Sequence, residues 1–148
     1  QQQTFPAKQW HYDSEALFVL NARLYLITKH RVAGSISRFE KGANLYRLDK
    51  LKSGEMNEAV LVDNHPSLFM ATAADLSPDA TKLAVLGSRS LWVFSAPKSG
   101  DKWLSGKSET LNLIGLGLGQ VESVTWRDSN SLLVGNEAGV VYRVKLPH

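Results

Sequence analysis

One short pattern occurs three times in this chain, and it constrains the fold more than any other feature. Each copy joins a first apolar stretch to a second across a few polar residues, and the copies begin at Glu15, Ala74 and Glu122. Their starts are separated by 59 residues (15 to 74) and by 48 residues (74 to 122). This spacing is the range expected when one four-stranded antiparallel sheet is the repeating unit. The sequence therefore predicts a protein made of repeated β-sheets.

The apolar stretches have the length and composition of β-strands. They are short, rich in Val, Leu, Tyr and Trp, and bounded by Gly, Pro, Asn, Asp and Ser, a pattern typical of strands joined by turns. Hairpins are predicted around residues 21–23 and 77–80, where Pro78 presets the backbone for a type I turn. Further strands are predicted at 45–48, 91–94 and 140–145 (third strands), 59–62 and 110–114 (fourth strands), and 4–10 (before the first unit).

Several motifs in these units resemble those of a known family. They lie at 13–17, 24–29, 45–48, 73–79, 119–124, 136–139 and 142–144. The Ser-Pro-Asp turn at 77–79 is widespread among propellers, and the acidic-plus-small openings at Glu15 and Glu122 are more particular. Over most of its length the chain resembles bacterial β-propeller proteins of the TolB-like and esterase-like phytase or quorum-regulated type. The resemblance implies an all-β β-propeller of four-stranded antiparallel blades, periplasmic or secreted, that binds a ligand at its central channel.

The predicted strands make up about three blades, which is half of a six-bladed ring. The blades are expected at about 13–65, 73–114 and 121–146 of one domain, with strand 4–10 before them. Radial repeats protect their sheet edges by closing a ring of four to eight blades, so three blades need a partner. Either a second copy completes the ring around a twofold axis, each strand 4–10 joining the other copy's third blade, or the chain is half of a longer protein.

Composition excludes several other classes of protein. The 17 basic and 14 acidic residues, net +3, are scattered through predicted turns, which indicates a solvated surface and no nucleic-acid partner. The absence of cysteine excludes disulfides, thiolate zinc sites and a cysteine nucleophile. The longest apolar stretches are far shorter than the roughly 18 residues of a membrane helix, so no span is expected. The four histidines lack zinc-site spacing, and surface or turn positions are expected for them.

The polar residues that flank the hairpins form a candidate site. In an antiparallel hairpin the start of the first strand and the end of the second lie at the same edge, and the innermost strands of a propeller line its channel. Clustered carboxylates at that rim could hold a hard cation such as calcium, or orient a cationic or polyhydroxyl ligand. The alternative is that they form ion pairs that hold neighbouring blades in register. The predicted rim residues are Asp13, Glu15, Lys29, Asp75, Arg89 (or its neighbour Ser88), Glu122 and Glu137.

Two functions are consistent with these patterns. The first is a non-catalytic binding or interaction propeller for a small-molecule or protein ligand, because no serine lies in a Gly-x-Ser-x-Gly turn with a histidine partner. The second is a calcium-assisted hydrolase of phosphate or other esters. The second requires the carboxylates of the rim to converge, and it is weakened if Lys29 and neighbouring arginines neutralise them. No cofactor other than possible calcium is expected.

Overall fold

The computed structural model describes residues 10–147, and over that range the chain is all-β, with eleven strands and no helix. The strands form three antiparallel sheets in which neighbours in the chain are neighbours in space. Sheet 1 contains β1 (Trp10–Leu20), β2 (Arg23–Arg31), β3 (Phe39–Leu48) and β4 (Val60–Phe69). Sheet 2 contains β5 (Ala71–Leu76), β6 (Lys82–Gly87), β7 (Ser90–Ser95) and β8 (Ser108–Asn112). Sheet 3 contains β9 (Val121–Asp128), β10 (Ser131–Asn136) and β11 (Val141–Lys145).

The prediction of repeated antiparallel sheets is confirmed. The predicted third strands fall on β3, β7 and β11, and the predicted fourth strands overlap β4 and β8. The prediction was least accurate in sheet 1, where β3 begins at Phe39 and β4 runs on to Phe69. The predicted strand at 4–10 lies outside the described residues except for Trp10, which begins β1.

Both predicted hairpins form, each with its own turn chemistry. Leu20 pairs with Arg23 across a two-residue turn in which Asn21 and Ala22 have φ of 51° and 59°. Two positive φ angles are what a type I′ turn requires, and this turn matches the twist of the flanking strands. In the second hairpin the amide of Ala80 donates to the carbonyl of Ser77 (2.7 Å), which places Pro78 at the second position of a β-turn. Local residue types therefore set both chain reversals.

Sheet 2 lies between the other two sheets. One of its faces, with Leu83, Val85 and Phe94, packs in a core with sheet 1. The opposite face packs in a second core, where Leu86 and other sheet 2 residues meet sheet 3. Because successive side chains of a strand point to opposite faces, burial on both sides makes β6 apolar and buried continuously from Leu83 to Gly87.

The connection between β7 and β8 fastens sheet 2 to sheet 1. Its residues Trp103 and Leu104 are 2% and 1% exposed and belong to the core shared with sheet 1. Asp63 of β4 accepts a hydrogen bond from the amide of Ser105 (2.8 Å), and the Tyr25 hydroxyl donates to Asp101 (3.0 Å).

Within residues 10–147, no segment forms a helix of the length and apolarity needed to cross a bilayer.

Candidate functional site

Most of the predicted rim residues lie at one end of the sheets, called here the upper edge, where β1, β5 and β9 begin. The starts of β5 and β9 lie side by side, since the hydroxyl of Thr72 donates to the carbonyl of Val121 (3.1 Å). Phe69 ends β4 two residues before β5 begins, and the guanidinium of Arg89 lies 5.0 Å from its ring. Because β4 and β5 are nearly continuous in the chain, the end of β4 in sheet 1 and the start of β5 in sheet 2 both lie at the upper edge.

In sheet 1 the predicted carboxylates are neutralised by basic side chains. Lys29 is 6% exposed in its side chain, and its Nζ lies 2.5 Å from Oε1 of Glu15 and 3.8 Å from Oδ2 of Asp13. Arg31 adds a second cation, with Nε 2.7 Å from the same oxygen of Asp13. The Arg31 guanidinium also lies 4.4 Å from the ring of Phe39. Two carboxylates and two cations thus form one partly buried network that holds β1 to β2.

In sheet 3 the two predicted carboxylates share one amide. The side-chain nitrogen of Gln120 lies 2.8 Å from Glu122 and 3.0 Å from Glu137. Glu137 is exposed and Glu122 is half-buried. Across residues 10–147, no three His, Asp or Glu side chains come together in a group that could hold a metal ion. The carboxylates that the calcium hypothesis needs in one place therefore stand in two separate groups.

Asp75 lies at the opposite end of the sheets from the other six predicted residues. It pairs with Ala84 near the start of β6, because β5 begins at Ala71 and is almost complete at Asp75. Its Oδ2 accepts hydrogen bonds from the hydroxyl of Thr125 (2.9 Å) and the amide of Trp126 (2.8 Å). Its carbonyl accepts a third from the indole of Trp126 (3.0 Å). Asp75 joins sheet 2 to sheet 3.

His11 and His30 form a stacked pair that the sequence did not predict, in which the side chain of His11 is exposed and His30 is half-buried. The rings of His11 and His30 stack 3.9 Å apart, and Nε2 of His11 lies 2.8 Å from Glu40. Burial, followed by the charge of His11, lowers the pKa of His30. Glycine at position 42 makes room for the stack, since a Cβ there would lie 2.3 Å from Nδ1 of His30. These residues are far apart in the chain, and only the pairing of β1, β2 and β3 brings them together.

The face of sheet 1 that points away from sheet 2 is apolar and uncovered in the described chain. Cross-strand pairs such as Leu17 with Leu26 and Val19 with Leu24 put these side chains on one face. Leu17 and Val19 remain 51% and 59% exposed. The sequence feature that indicates this apolar face is the unbroken apolar run at the end of β1. A strand with one face in water would instead alternate apolar and polar residues. The apolar residues of this outer face include Tyr12, Leu17, Val19, Leu24, Leu26, Tyr46 and Leu61, and the polar residues Ser14 and Thr28 lie beside them.

A cavity opens on the outer face. Its volume is about 280 Å³. The rings of Tyr12 and Tyr46, with centroids 6.4 Å apart, form two of its walls. Its full lining is Tyr12, Ser14, Leu26, Thr28, Tyr46 and Ala59. The outer face therefore offers both exposed aliphatic side chains and a socket that can receive one.

No protein-family model matches this chain, and no curated protein is significantly similar to it. The fold and the surface together define an all-β protein of three antiparallel sheets, stacked so that none of residues 10–147 covers the outer face of sheet 1.

Proposed function

We propose that this protein is a non-catalytic interaction module of the β-propeller type, a three-blade assembly that associates with a second copy of itself. The proposal rests on the outer face of sheet 1, which no residue in the described part of the chain covers. A contiguous exposed apolar surface on a soluble domain marks an interaction site, because its contact with water is unfavourable. The blade arrangement is supported by the order of the sheets and by the first strands, which lie beside one another as innermost strands do.

The chemistry of the upper edge supports binding over catalysis. Asp13 and Glu15 form ion pairs with Arg31 and Lys29, so in this proposal they stabilise the pairing of β1 with β2 and do not bind a ligand. Glu122 and Glu137 hydrogen-bond to an amide rather than to a cation, which leaves their negative charges available to a ligand. In this proposal the rim site at the upper edge binds a cationic or polyhydroxyl group through these two carboxylates.

Mass in solution tests the proposal. One chain has a mass of 16.3 kDa, and association of two copies doubles it. Light scattering coupled to size exclusion, run over a range of protein concentrations, is expected to show a concentration-dependent rise to twice the monomer mass. A mass that stays at one chain up to high micromolar concentration contradicts the proposal.

A further inference from the structure

We infer that the cleft between sheets 2 and 3 contains a binding site for a small organic anion, a phosphate or sulfate monoester that carries an apolar group. The site lies at the end of the sheets where Asp75 lies, opposite the upper edge, and it is called here the lower cavity. Its volume is about 270 Å³, and residues of both sheets line it. The inference depends neither on the rim site nor on association with a second copy.

The face of sheet 2 that packs against sheet 3 becomes polar at this end. Successive side chains of a strand alternate between faces, so Lys82 shares the face of Ala84, and Ser95 shares that of Val93. Lys82 and Ser95 are paired across β6 and β7. The amide of Ser95 donates to the carbonyl of Lys107 (2.8 Å), which brings the chain just before β8 to the same place. Two lysines and a serine therefore border the lower cavity on the sheet 2 side.

Sheet 3 supplies the opposite side of the lower cavity. Asn130 lies in the turn between β9 and β10, and its carbonyl accepts a hydrogen bond from the amide of Leu146 (2.9 Å), just after β11. The Nζ atom of Lys82 lies 3.5 Å from the carbonyl of Ser129 and 5.9 Å from the ring of Trp126. Lys82 therefore extends from sheet 2 to sheet 3, and its ammonium group lies where the two sheets meet.

The polar side chains of the lower cavity are available to a ligand. Among residues 10–147, neither Lys82 nor Lys107 has a carboxylate within 4 Å. Over the same range, the hydroxyl of Ser95 and the side-chain amide of Asn130 have no hydrogen-bond partner. The basic groups of sheet 1 differ in this respect, because carboxylates of the same sheet neutralise them. The two lysines thus lack the opposite charge that an anionic ligand would supply.

The charge around the lower cavity is positive. One acidic side chain, Glu109, lines it together with the two lysines. An adjoining cavity of about 290 Å³ shares Asn130 with it and adds Asp128, Arg143 and Lys145. Over both cavities, four basic side chains stand against two acidic ones. A concave surface with an excess of positive charge raises the local concentration of anions.

The class of ligand follows from the donors and from the apolar wall beside them. Lysine ammonium groups bind phosphate or sulfate oxygens as point charges, and hydroxyl and amide groups donate to the remaining oxygens. Val93, Leu146 and Pro147 form the apolar part of the lining. An inorganic anion leaves that wall in contact with water, whereas the organic group of a monoester covers it. The lower cavity is therefore matched to both halves of such a molecule.

Phenyl phosphate is the probe, and inorganic phosphate and phenol represent its two halves. Binding is followed at constant ionic strength by two-dimensional NMR of nitrogen-labelled protein. Phenyl phosphate is expected to shift the amide signals of Ser95 and Asn130 and the indole signal of Trp126 in a saturable way. Inorganic phosphate should bind more weakly at the same signals, and phenol should not bind there. Shifts spread over the whole surface, or equal binding of phenol, would overturn the inference.

Removal of each lysine tests its role. Lys82→Gln and Lys107→Gln are each expected to raise the dissociation constant for phenyl phosphate about tenfold, because each removes a charge-assisted hydrogen bond. Lys98→Gln is the matched control, since Lys98 is exposed in the same β7–β8 connection but does not line the cavity. Lys107 is also exposed, so its variant is expected to fold even if Lys82→Gln does not. An unchanged dissociation constant in Lys107→Gln contradicts the inference.

Glu109→Gln provides a test in the opposite direction. It removes the negative charge that repels the ligand, so phenyl phosphate should bind several-fold more tightly. Damage to the fold weakens binding, so a gain in affinity is evidence for a charge effect at this cavity. Weaker or unchanged binding in Glu109→Gln would mean that the anion does not occupy the lower cavity.

Discussion

His65 is held by the fold in its neutral form. Its Nδ1 accepts hydrogen bonds from the amides of Leu68 (3.1 Å) and Ser67 (3.3 Å), so this nitrogen cannot carry a proton. The ring packs edge-on against Trp92, with centroids 4.8 Å apart, and also against Phe94. Burial accordingly lowers the pKa of His65. Protonation would break both hydrogen bonds and place a charge against two aromatic rings.

We therefore predict that the free energy of unfolding decreases as the pH falls from 7 to 5. The unfolded chain takes up protons near the ordinary histidine pKa of about 6.5, and the folded chain does so only at lower pH, so acid favours unfolding. Urea unfolding at several pH values measures the slope. His65→Asn retains an acceptor that does not titrate, and it should reduce the slope, leaving the part due to His30. Equal slopes in the two proteins would contradict the prediction.

At the scale of the element, the first hairpin contains a residue that does not suit its position. Ala22 has φ of 59°, and a left-handed backbone costs a residue with a Cβ about 1–2 kcal/mol. Asn21, at φ of 51°, is of a type that tolerates this region. The hairpin still forms because β1 and β2 are long, pair from Leu20 to Trp10, and bury Phe18 and Tyr25 in the core. Packing of the strands overcomes an unfavourable turn.

Ala22→Gly is predicted to stabilise the protein by about 0.5–1 kcal/mol, because the relief of backbone strain exceeds the added entropy of the unfolded chain. Chemical denaturation measures the change. Ala16→Gly is the control in the same hairpin. It removes a fully buried methyl group from the middle of β1, so it should destabilise the protein. A loss of stability in both variants would mean that the turn is not strained.

At the scale of the whole molecule, the predicted carboxylates of the upper edge have partners within their own sheets, whereas Asp63 and Asp75 have partners in a different part of the fold. The network of Asp13, Glu15, Lys29 and Arg31 closes within sheet 1, while Glu122 and Glu137 share Gln120 at sheet 3. Calcium requires six to eight oxygen ligands, and two carboxylates on one amide supply too few. For the proposed rim site, this chemistry favours an organic cation or a polyhydroxyl group over a metal ion.

Millimolar calcium is predicted to leave the melting temperature within about 1 °C of its value in a chelator. A ligand that binds only the folded state must raise the melting temperature, so thermal unfolding with calcium and with a chelator is decisive. Glu122→Gln serves as the comparison, since it removes one of the carboxylates that calcium would use. If calcium raised the melting temperature of the natural protein by several degrees but not that of Glu122→Gln, the result would support the calcium hypothesis.

Asp75 and His65 show why the positions of individual side chains were harder to predict than the strands. Strand boundaries were predicted to within a few residues in sheets 2 and 3, but the displaced start of β5 was enough to put Asp75 at the wrong end of its sheet. The environment of His65 depends on Trp92 and Phe94 of another sheet, which no local pattern contains. Errors of a few residues are small for a strand and decisive for a side chain at its end.

The sequence by itself determined that the chain forms short antiparallel strands in three repeated units, because strand period, turn residues and chain reversal are local properties. Only the tertiary structure decided which face of each sheet is covered. Leu17 and Phe18 are adjacent and equally apolar, yet one is half-exposed and the other is buried in the core. Their environments differ because sheet 2 packs against only one side of sheet 1, and that packing depends on residues far away in the chain.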